Sequence, residues 1–447
     1  MKFSEENIRE RLKNRAFREL KEILDRENEM DIAEILDALN SEETIMAFRL
    51  LSKDKAAEVF ACLSPDHQRD IINSITDKEL GRMVDDLFID DAVDMVEELP
   101  AGVVRRVLEN SSDETRRLIN QFLNFPENSA GSIMTAEYIG LKKHMTVQEC
   151  FRYIKKHAIR SETIYTCFVT DEYRRIEGVV SVKDLFLHPK PQRIEEFMDT
   201  HVIVAHTHDD REAVADMFNK YDILSLPVVD NENRLVGIVT VDDAFDVMEQ
   251  EATEDFQKMA AMAPSERPYL KTNAFILAKN RILWLAVLML SDTIAGTILA
   301  GYENAFRALP LLVSFIPMLM GTGGNAGSQS STMIIRGMAV GEIHLGDYMR
   351  VLFKELQVGF ISGLILGIIN FIRLIIFYPG QPLVILTVVL SIHIIVICAK
   401  IIGAVLPMIA KAVKLDPAIM AAPLITTIVD ALGLIVYFQL ATHLIGL

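Results

Sequence analysis

The sequence predicts a multidomain membrane protein: an all-α superhelical N domain, an α/β tandem pair of modules and a five-helix α transmembrane domain. Three observations carry this prediction. A twelve-residue apolar repeat fills residues 31–112, a second repeat with mixed strand and helix patterning fills 132–250, and five long apolar runs follow Ala278. The 447 residues are 50% hydrophobic and 24% charged, with a formal net charge of −17. That charge is unevenly spread. Residues 1–269 hold 34 Lys and Arg against 55 Asp and Glu, whereas residues 271–447 hold 11 against 7. An acidic soluble part therefore precedes a weakly basic, very apolar one. Nucleic acid is not an expected partner, because phosphate binding requires basic surface.

The N-terminus, MKFSEENIRERLKNR, is charged from its first residues and has no apolar core, so it is not read as a signal peptide. Beyond it, segments starting at 31, 43, 55, 67, 79, 91 and 103 place Ile35, Ala47, Val59, Ile71, Met83, Met95 and Val107 at the fifth position. The ninth position is Leu39, Leu51, Leu63, Ile75, Leu87, Leu99 and then Ser111. Turn or cap residues follow, among them Asn40, Ser52, Ser64, Thr76 and Pro100. Apolar positions four apart followed by a stop describe short helices stacked into a superhelix.

A different repeat begins after PENSAGS (126–132). IEGVVSVKDLF (176–186) and LVGIVTVDDAF (235–245) match, with Gly178 and Gly237 offset by 59 residues. SIMTAEYIGL and EFMDTHVIVA also match. Each copy reads as strand, helix, two strands and helix. Residues 132–250 resemble a tandem pair of CBS domains, α/β modules that regulate channels and enzymes by binding small ligands. Thr240 and Asp243 match that family's T-x-x-D, where some members hold a nucleotide ribose, which implies ATP at the pair; Ser181 and Asp184 are the weaker first copy.

Acid placement is the most informative soluble feature. Residues 85–98 (DDLFIDDAVDMVEE) and 242–255 (DDAFDVMEQEATED) each contain seven acids and no base. One such run is ordinarily a solvated helix face. Two runs, the second leading toward the first apolar span, suggest faces that repel when bare and close when a divalent ion neutralises them.

The apolar runs, about 282–301, 309–335, 356–378, 383–410 and 417–446, are each long enough to cross a hydrocarbon core of about 30 Å. Lys271, Lys279 and Arg281 precede the first, Arg336, Arg350 and Lys354 follow the second, and Lys411 and Lys414 follow the fourth. The loop at 302–308 has only Arg307, and YPGQP (378–382) has no base. The positive-inside rule then puts the N-terminus in the cytoplasm and the C-terminus outside a multi-pass cell (plasma or inner) membrane. Cys62, Cys150, Cys167 and Cys398 form no CxxC pair, which fits a reducing compartment for most of the chain.

Polar residues inside the spans are functional candidates. GTGGNAGSQSST (321–332), after Pro310 and Pro317, reads as an interruption of the second span that lines a pore or cavity, with Asn325, Ser328, Gln329 and Thr332 as oxygen donors. A glycine packing seam is the competing reading. For Gly359, Gly363 and Gly367, spaced four apart without polar neighbours, the seam is preferred. Asp430 lies in PLITTIVDALG (423–433) about one turn from Thr426 and Thr427, and Asp292 is a second intramembrane carboxylate. Lys400 and Arg373 are expected to snorkel, and His393 to be a packed histidine. Carboxylates, hydroxyls and carbonyls are hard oxygen ligands, suited to Mg²⁺ or Ca²⁺ rather than copper or zinc.

The order of parts resembles the MgtE family of magnesium channels, over almost the whole chain: helical N domain (1–128), paired CBS domains (129–250), connecting helix (251–278) and five-span pore domain (279–447). GTGGNAGSQ, TTIVD (426–430) and VTVDDAFDVMEQEATED (239–255) carry the resemblance most specifically. It implies a homodimer in the lipid bilayer, with Asp430 as the pore carboxylate for hydrated Mg²⁺ beside the Thr426 backbone. It implies that Asp416 meets Glu251, Glu254 and Asp255, and that Asp243 and Asp246 face Asp86, Asp90 and Asp91. Glu212 and Asp222 match regulatory metal positions. Ser328 departs from the Asn often found at its place. The implied function is a Mg²⁺-selective channel gated by cytosolic Mg²⁺. A transporter for Mn²⁺ or Co²⁺ and a CBS-based membrane receptor without a pore are the alternatives. An enzyme is not expected: no P-loop, Ser/His/Asp or Cys/His constellation is visible.

Overall fold

The computed structural model describes residues 3–265, 269–270, 272–303, 309–420 and 422–446. Lys271 and Arg307, used above to orient the spans, lie outside the described residues. The chain forms two compact units, Met1–Met248 and Glu249–Leu447.

The first unit opens with α1 (Glu5–Lys13) and α2 (Phe17–Leu24). Eight helices follow: α3 (Glu29–Ala38), α4 (Ser41–Phe48), α5 (Lys53–Ala61), α6 (Pro65–Ser74), α7 (Asp77–Asp86), α8 (Ile89–Glu98), α9 (Ala101–Asn110) and α10 (Asp113–Phe122). Their first residues are twelve apart, as the apolar repeat predicts. Punctuation is supplied by caps: the Asn28 and Asn40 side chains accept from the Met30 and Glu43 amides, and Thr76 and Glu79 form a capping box. Fifth-position residues from Ala47 to Val107 are buried, and Ile35 is half-buried. Helices two apart in sequence pack together, α3 on α5, α5 on α7 and α7 on α9. At the last contact a Cβ on Gly81 would lie 2.2 Å from the Asn110 carbonyl oxygen, so this crossing admits no side chain.

The two α/β copies follow. The first comprises β1 (Gly140–Leu141), α11 (Val147–His157), β2 (Thr166–Thr170), β3 (Ile176–Ser181) and α12 (Val182–Leu187). The second comprises β4 (Ala205–His206), α13 (Arg211–Tyr221), β5 (Ser225–Val229), β6 (Leu235–Thr240) and α14 (Val241–Met259). Each sheet has one parallel and one antiparallel pair, and Phe168↔Val179 in one corresponds to Pro227↔Ile238 in the other. The lead-in of each copy crosses to its sibling: Thr135 bridges Ile238, and Asp199 bridges Val179. This explains the repeated glycines. A Cβ on Gly178 would meet the Met198 sulfur at 2.8 Å, and one on Gly237 the Met134 sulfur at 2.9 Å.

In the second unit, α15 (Ala274–Gly301), α16 (Ile316–Ala339), α17 (Tyr348–Phe377), α18 (Pro382–Ala412) and α19 (Ala422–Ile445) occupy the five apolar runs. The helical segments Ala274–Gly301, Leu345–Phe377, Pro382–Ala412 and Pro417–Ile445 are long and apolar enough to span a membrane. The polar and glycine content of α16 keeps it below that measure.

Two sequence expectations are corrected here. The segment 321–332 does not interrupt a helix: α16 runs through it, and Pro317 sits in its first turn, where a missing N–H costs nothing. The helix expected over 251–278 is instead the end of α14, which stops at Met259, and α15 begins at Ala274.

Candidate functional sites

Three groups of polar side chains stand out, two in the membrane helices and their loops and one in the soluble unit.

In the soluble unit, α8 begins with Asp90 and Asp91, and α14 begins with Asp242 and Asp243. Sequence reasoning pairs these two faces, and the fold does bring them into electrostatic contact. It adds Glu162 and Glu137 from the first α/β copy, which the sequence does not flag. Burial, then the charges of Asp91, Asp243 and Glu162, holds Asp90 well above the usual carboxylate range. For the same reasons, burial first, Asp91 is pushed up to about 6 and Glu162 to about 7. Asp243 also rises to about 6, through burial, although the Thr240 hydroxyl and amide donate to it. Asp90 Oδ1 and Glu162 Oε2 are buried acceptors without a hydrogen-bond partner. Such orphaned hard oxygens suit a divalent ion that retains much of its water. No three His, Cys, Asp or Glu side chains among the described residues converge into a closed metal centre. Asp86 and Asp246 are exposed.

A pH dependence follows. Each carboxylate whose folded pKa lies above its unfolded value binds more protons when folded, so stability falls as pH rises from about 4 to about 7. Acidifying the metal-free protein from about pH 8 to about 5.5 is therefore expected to slow proteolysis of the α8–α14 region, and millimolar Mg²⁺ at the higher pH to do the same. A rate indifferent to both would show the faces to be solvated independently.

Glu212 and Asp222 are exposed at opposite ends of α13, about 15 Å apart by helix rise. They cannot share one ion within a chain. Thr240 is 5% exposed and, like Ser181 with Asp184, is engaged by the carboxylate three residues on as a helix cap. The structure also places Ser64, His67 and Asp37 in mutual contact. Their geometry is not that of a nucleophilic triad, because the serine donates directly to the carboxylate and stands at the start of α6.

At the end of α14, the family resemblance implies that Asp416 meets Glu251, Glu254 and Asp255. Burial, then the charge of Asp416, raises Asp255, so these acids are indeed close. Between them stands Lys258, which sequence reasoning overlooks although it lies one helical turn after Glu254. Its Nζ is 2.6 Å from Glu254 and 2.7 Å from Asp416.

In the membrane helices, Asp430 on α19 is half-buried, and its Oδ1 is sequestered without a hydrogen-bond partner. One turn earlier the Thr426 and Thr427 hydroxyls lie 2.8 and 3.2 Å from the Pro423 carbonyl, to which they can donate, and Thr427 Oγ1 is also 3.5 Å from Asp292 of α15. The glycines of α16 form a packing seam rather than a pore wall. A Cβ on Gly323 would strike Ile395 and Val429, one on Gly324 would strike Thr426, and one on Gly327 would strike Ile425. The opposite edge of α16 exposes Asn325, Gln329 and Thr332. Ser328, half-buried, donates to the Gly324 carbonyl. Gly359, Gly363 and Gly367 of α17 pack on Ile397, His393 and Val389, the seam their spacing predicts. His393 packs edge-on against Phe360, and Arg373 is exposed. Lys400 departs from expectation: it does not snorkel but is 6% exposed, bonded to Ser330.

Comparison with known proteins supports the same order of domains. Family models match the chain as an MgtE intracellular N domain over residues 27–128, CBS domains over 130–189 and 194–250, and an MgtE divalent cation transporter domain over 316–440. The magnesium transporter MgtE of Thermus thermophilus is 37% identical over 355 residues, covering 79% of this chain and 78% of that protein. The magnesium transporter MgtE of Bacillus subtilis is 34% identical, covering 80% and 78%. The crystal structure of the cytosolic domain of the Mg²⁺ channel MgtE in complex with ATP superposes with a TM-score of 0.51 at 36% identity, covering 54% of this chain and 98% of that one. By its helical N domain, its crossed CBS pair, its apolar helices and this extent of identity, the chain belongs to the MgtE family of divalent cation transporters.

Proposed function

We propose that this chain is a Mg²⁺ channel of the plasma membrane that works as a homodimer and is gated by cytosolic Mg²⁺. The observation that carries the reading is Asp430, a carboxylate on an apolar helix with an unpartnered buried oxygen, in a chain whose relatives are named magnesium transporters. A charge so placed costs about 3 kcal/mol on insertion scales and is retained for function. The exposed polar edge of α16, with Asn325, Gln329 and Thr332 and the half-buried Ser328 beside it, supplies further oxygen donors and is the face a second copy would cover. Because a lone chain separates Glu212 from Asp222, the two could share an ion only across two copies.

The acidic faces would serve as the sensor. Bare, the carboxylates of α8 and α14 repel; neutralised by the ion, they close, and α14 ends in the acids that surround Lys258 and Asp416. The gradient of the ion drives transport, without covalent chemistry. The N-terminus lies in the cytoplasm and the C-terminus outside. ATP at Thr240 and Asp243 is supported by the ATP-bound relative, provided the cap bond between those residues opens.

Flux in proteoliposomes tests the reading, with Mg²⁺ and Mn²⁺ in competition. Mn²⁺ flux undiminished by excess Mg²⁺ would replace the proposed selectivity, and absence of any flux would favour a receptor. For gating, Asp243→Asn with Asp246→Asn is expected to preserve conduction and raise the Mg²⁺ concentration for half-inhibition several-fold. Unchanged inhibition would reduce the second acidic run to a solvated helix face.

A further inference from the structure

Lys400 is a buried basic residue in an apolar helix, and neither the acidic sensor nor Asp430 accounts for it. Its Nζ donates to Ser330 Oγ of α16 at 3.3 Å, and that hydroxyl donates to Glu355 Oε2 of α17 at 2.5 Å. Donor and acceptor roles close: the ammonium has only protons to give, the carboxylate only lone pairs, and one hydroxyl relays between them. Three helices meet at this single polar node.

Its neighbours explain why a node is needed there. Gly403, one turn after Lys400, crosses Gly327, one turn before Ser330, so closely that a Cβ would lie 2.2 Å from the Gly327 oxygen. Gly359, one turn after Glu355, rides on the backbone of Ile397, where a Cβ would be 3.1 Å from its Cα. Glycine seams bring helices close but carry no knobs to oppose sliding or rotation, and lipid supplies no hydrophobic force to choose a register. A buried ammonium tied through one hydroxyl to a half-buried carboxylate does choose one, since any displaced register leaves Lys400 without its partner in an apolar medium.

On α16, Ser330 lies five residues from Asn325, about 140° around the helix, on the side away from the Asn325–Gln329 edge. We propose that Lys400, Ser330 and Glu355 form a register lock that fixes the rotation of α16 and so aims its polar edge. Lys400 is then a positioning residue for transport, through Ser330, and does not touch the ion. This rests on the transport reading above.

The test uses the full-length dimer in proteoliposomes, comparing Lys400→Met, Glu355→Gln, the double variant, Ser330→Ala and the control Lys411→Met. Rates are normalised to folded protein, and the ratio of Mg²⁺ to Ca²⁺ flux is recorded. Each charge-breaking single variant is expected to lose Mg²⁺ flux by about tenfold or more and to lower the Mg²⁺/Ca²⁺ ratio, because one charge is left unpaired. The double variant, whose neutral amide at position 355 can still bond Ser330, is expected to recover both rate and ratio toward wild type. Lys411→Met should change neither. Where a single variant fails to fold, the double variant and Ser330→Ala decide: both folded, with Ser330→Ala showing a lowered ratio, supports the lock. A double variant no better than the worse single, or Lys400→Met with wild-type rate and ratio, overturns it. No flux from wild-type protein overturns the transport reading instead.

Discussion

Asp430→Asn is expected to lower Mg²⁺ flux by at least about a hundredfold, equivalent to nearly 3 kcal/mol of lost ion stabilisation. Asn keeps the shape and one acceptor oxygen but removes the negative charge that offsets dehydration of a divalent ion. The same change should raise thermal stability, because Asp430 Oδ1 is buried without a partner and a neutral amide costs less there. Loss of flux with gain of stability is the signature of a functional charge; a structural carboxylate would lose both. Asp292→Asn should have a smaller effect, since Asp292 is exposed and Thr427 meets it only at 3.5 Å. Isotope flux and thermal melts of the same preparations check both. Wild-type flux in Asp430→Asn would remove the pore assignment.

The second large effect is expected at Gly403. One added methyl would stand 2.2 Å from the Gly327 carbonyl oxygen and 3.0 Å from its carbon, and both obstacles are backbone. No rotamer relieves that contact, so α16 and α18 must separate. Overpacking costs about 1–3 kcal/mol, and here the upper end applies, which lowers the folded-to-unfolded ratio about a hundredfold. Size-exclusion yield of Gly403→Ala should collapse, while Gly296→Ala, whose Cβ meets nothing within 4 Å, should behave as wild type. Comparable yields would mean the crossing tolerates a side chain.

Beside these glycines, the continuous helix through 321–332 is instructive. Gly, Ser and Asn have poor helix propensity, which is why the sequence reads as a broken span. Intrinsic propensity of that size yields to packing when the same small residues let α16 approach α18 and α19. Composition alone does not separate a loop from a seam, because both use small residues. The burial of Lys400 escapes the sequence for a related reason: its partner Ser330 lies 70 residues before it, and Glu355 lies 25 residues after Ser330 on yet another helix. Glu162 carries no signal either, since its counterpart at the 59-residue offset is Tyr221.

By itself the sequence determined most of the elements, though not the continuity of α16 or the end of α14. Twelve-residue apolar spacing, paired Gly178 and Gly237, and five apolar runs are local patterns, and burial of one face or one span enforces them wherever they fold. It also exposed Asp430 and the acid runs, because charge is conspicuous against an apolar or base-free background. Only the tertiary structure decided which charges meet. Asp90 with Glu162, Lys258 with Asp416 and Lys400 with Glu355 are pairings across long loops or between helices, and electrostatic contact depends on distance in space, which no local pattern encodes.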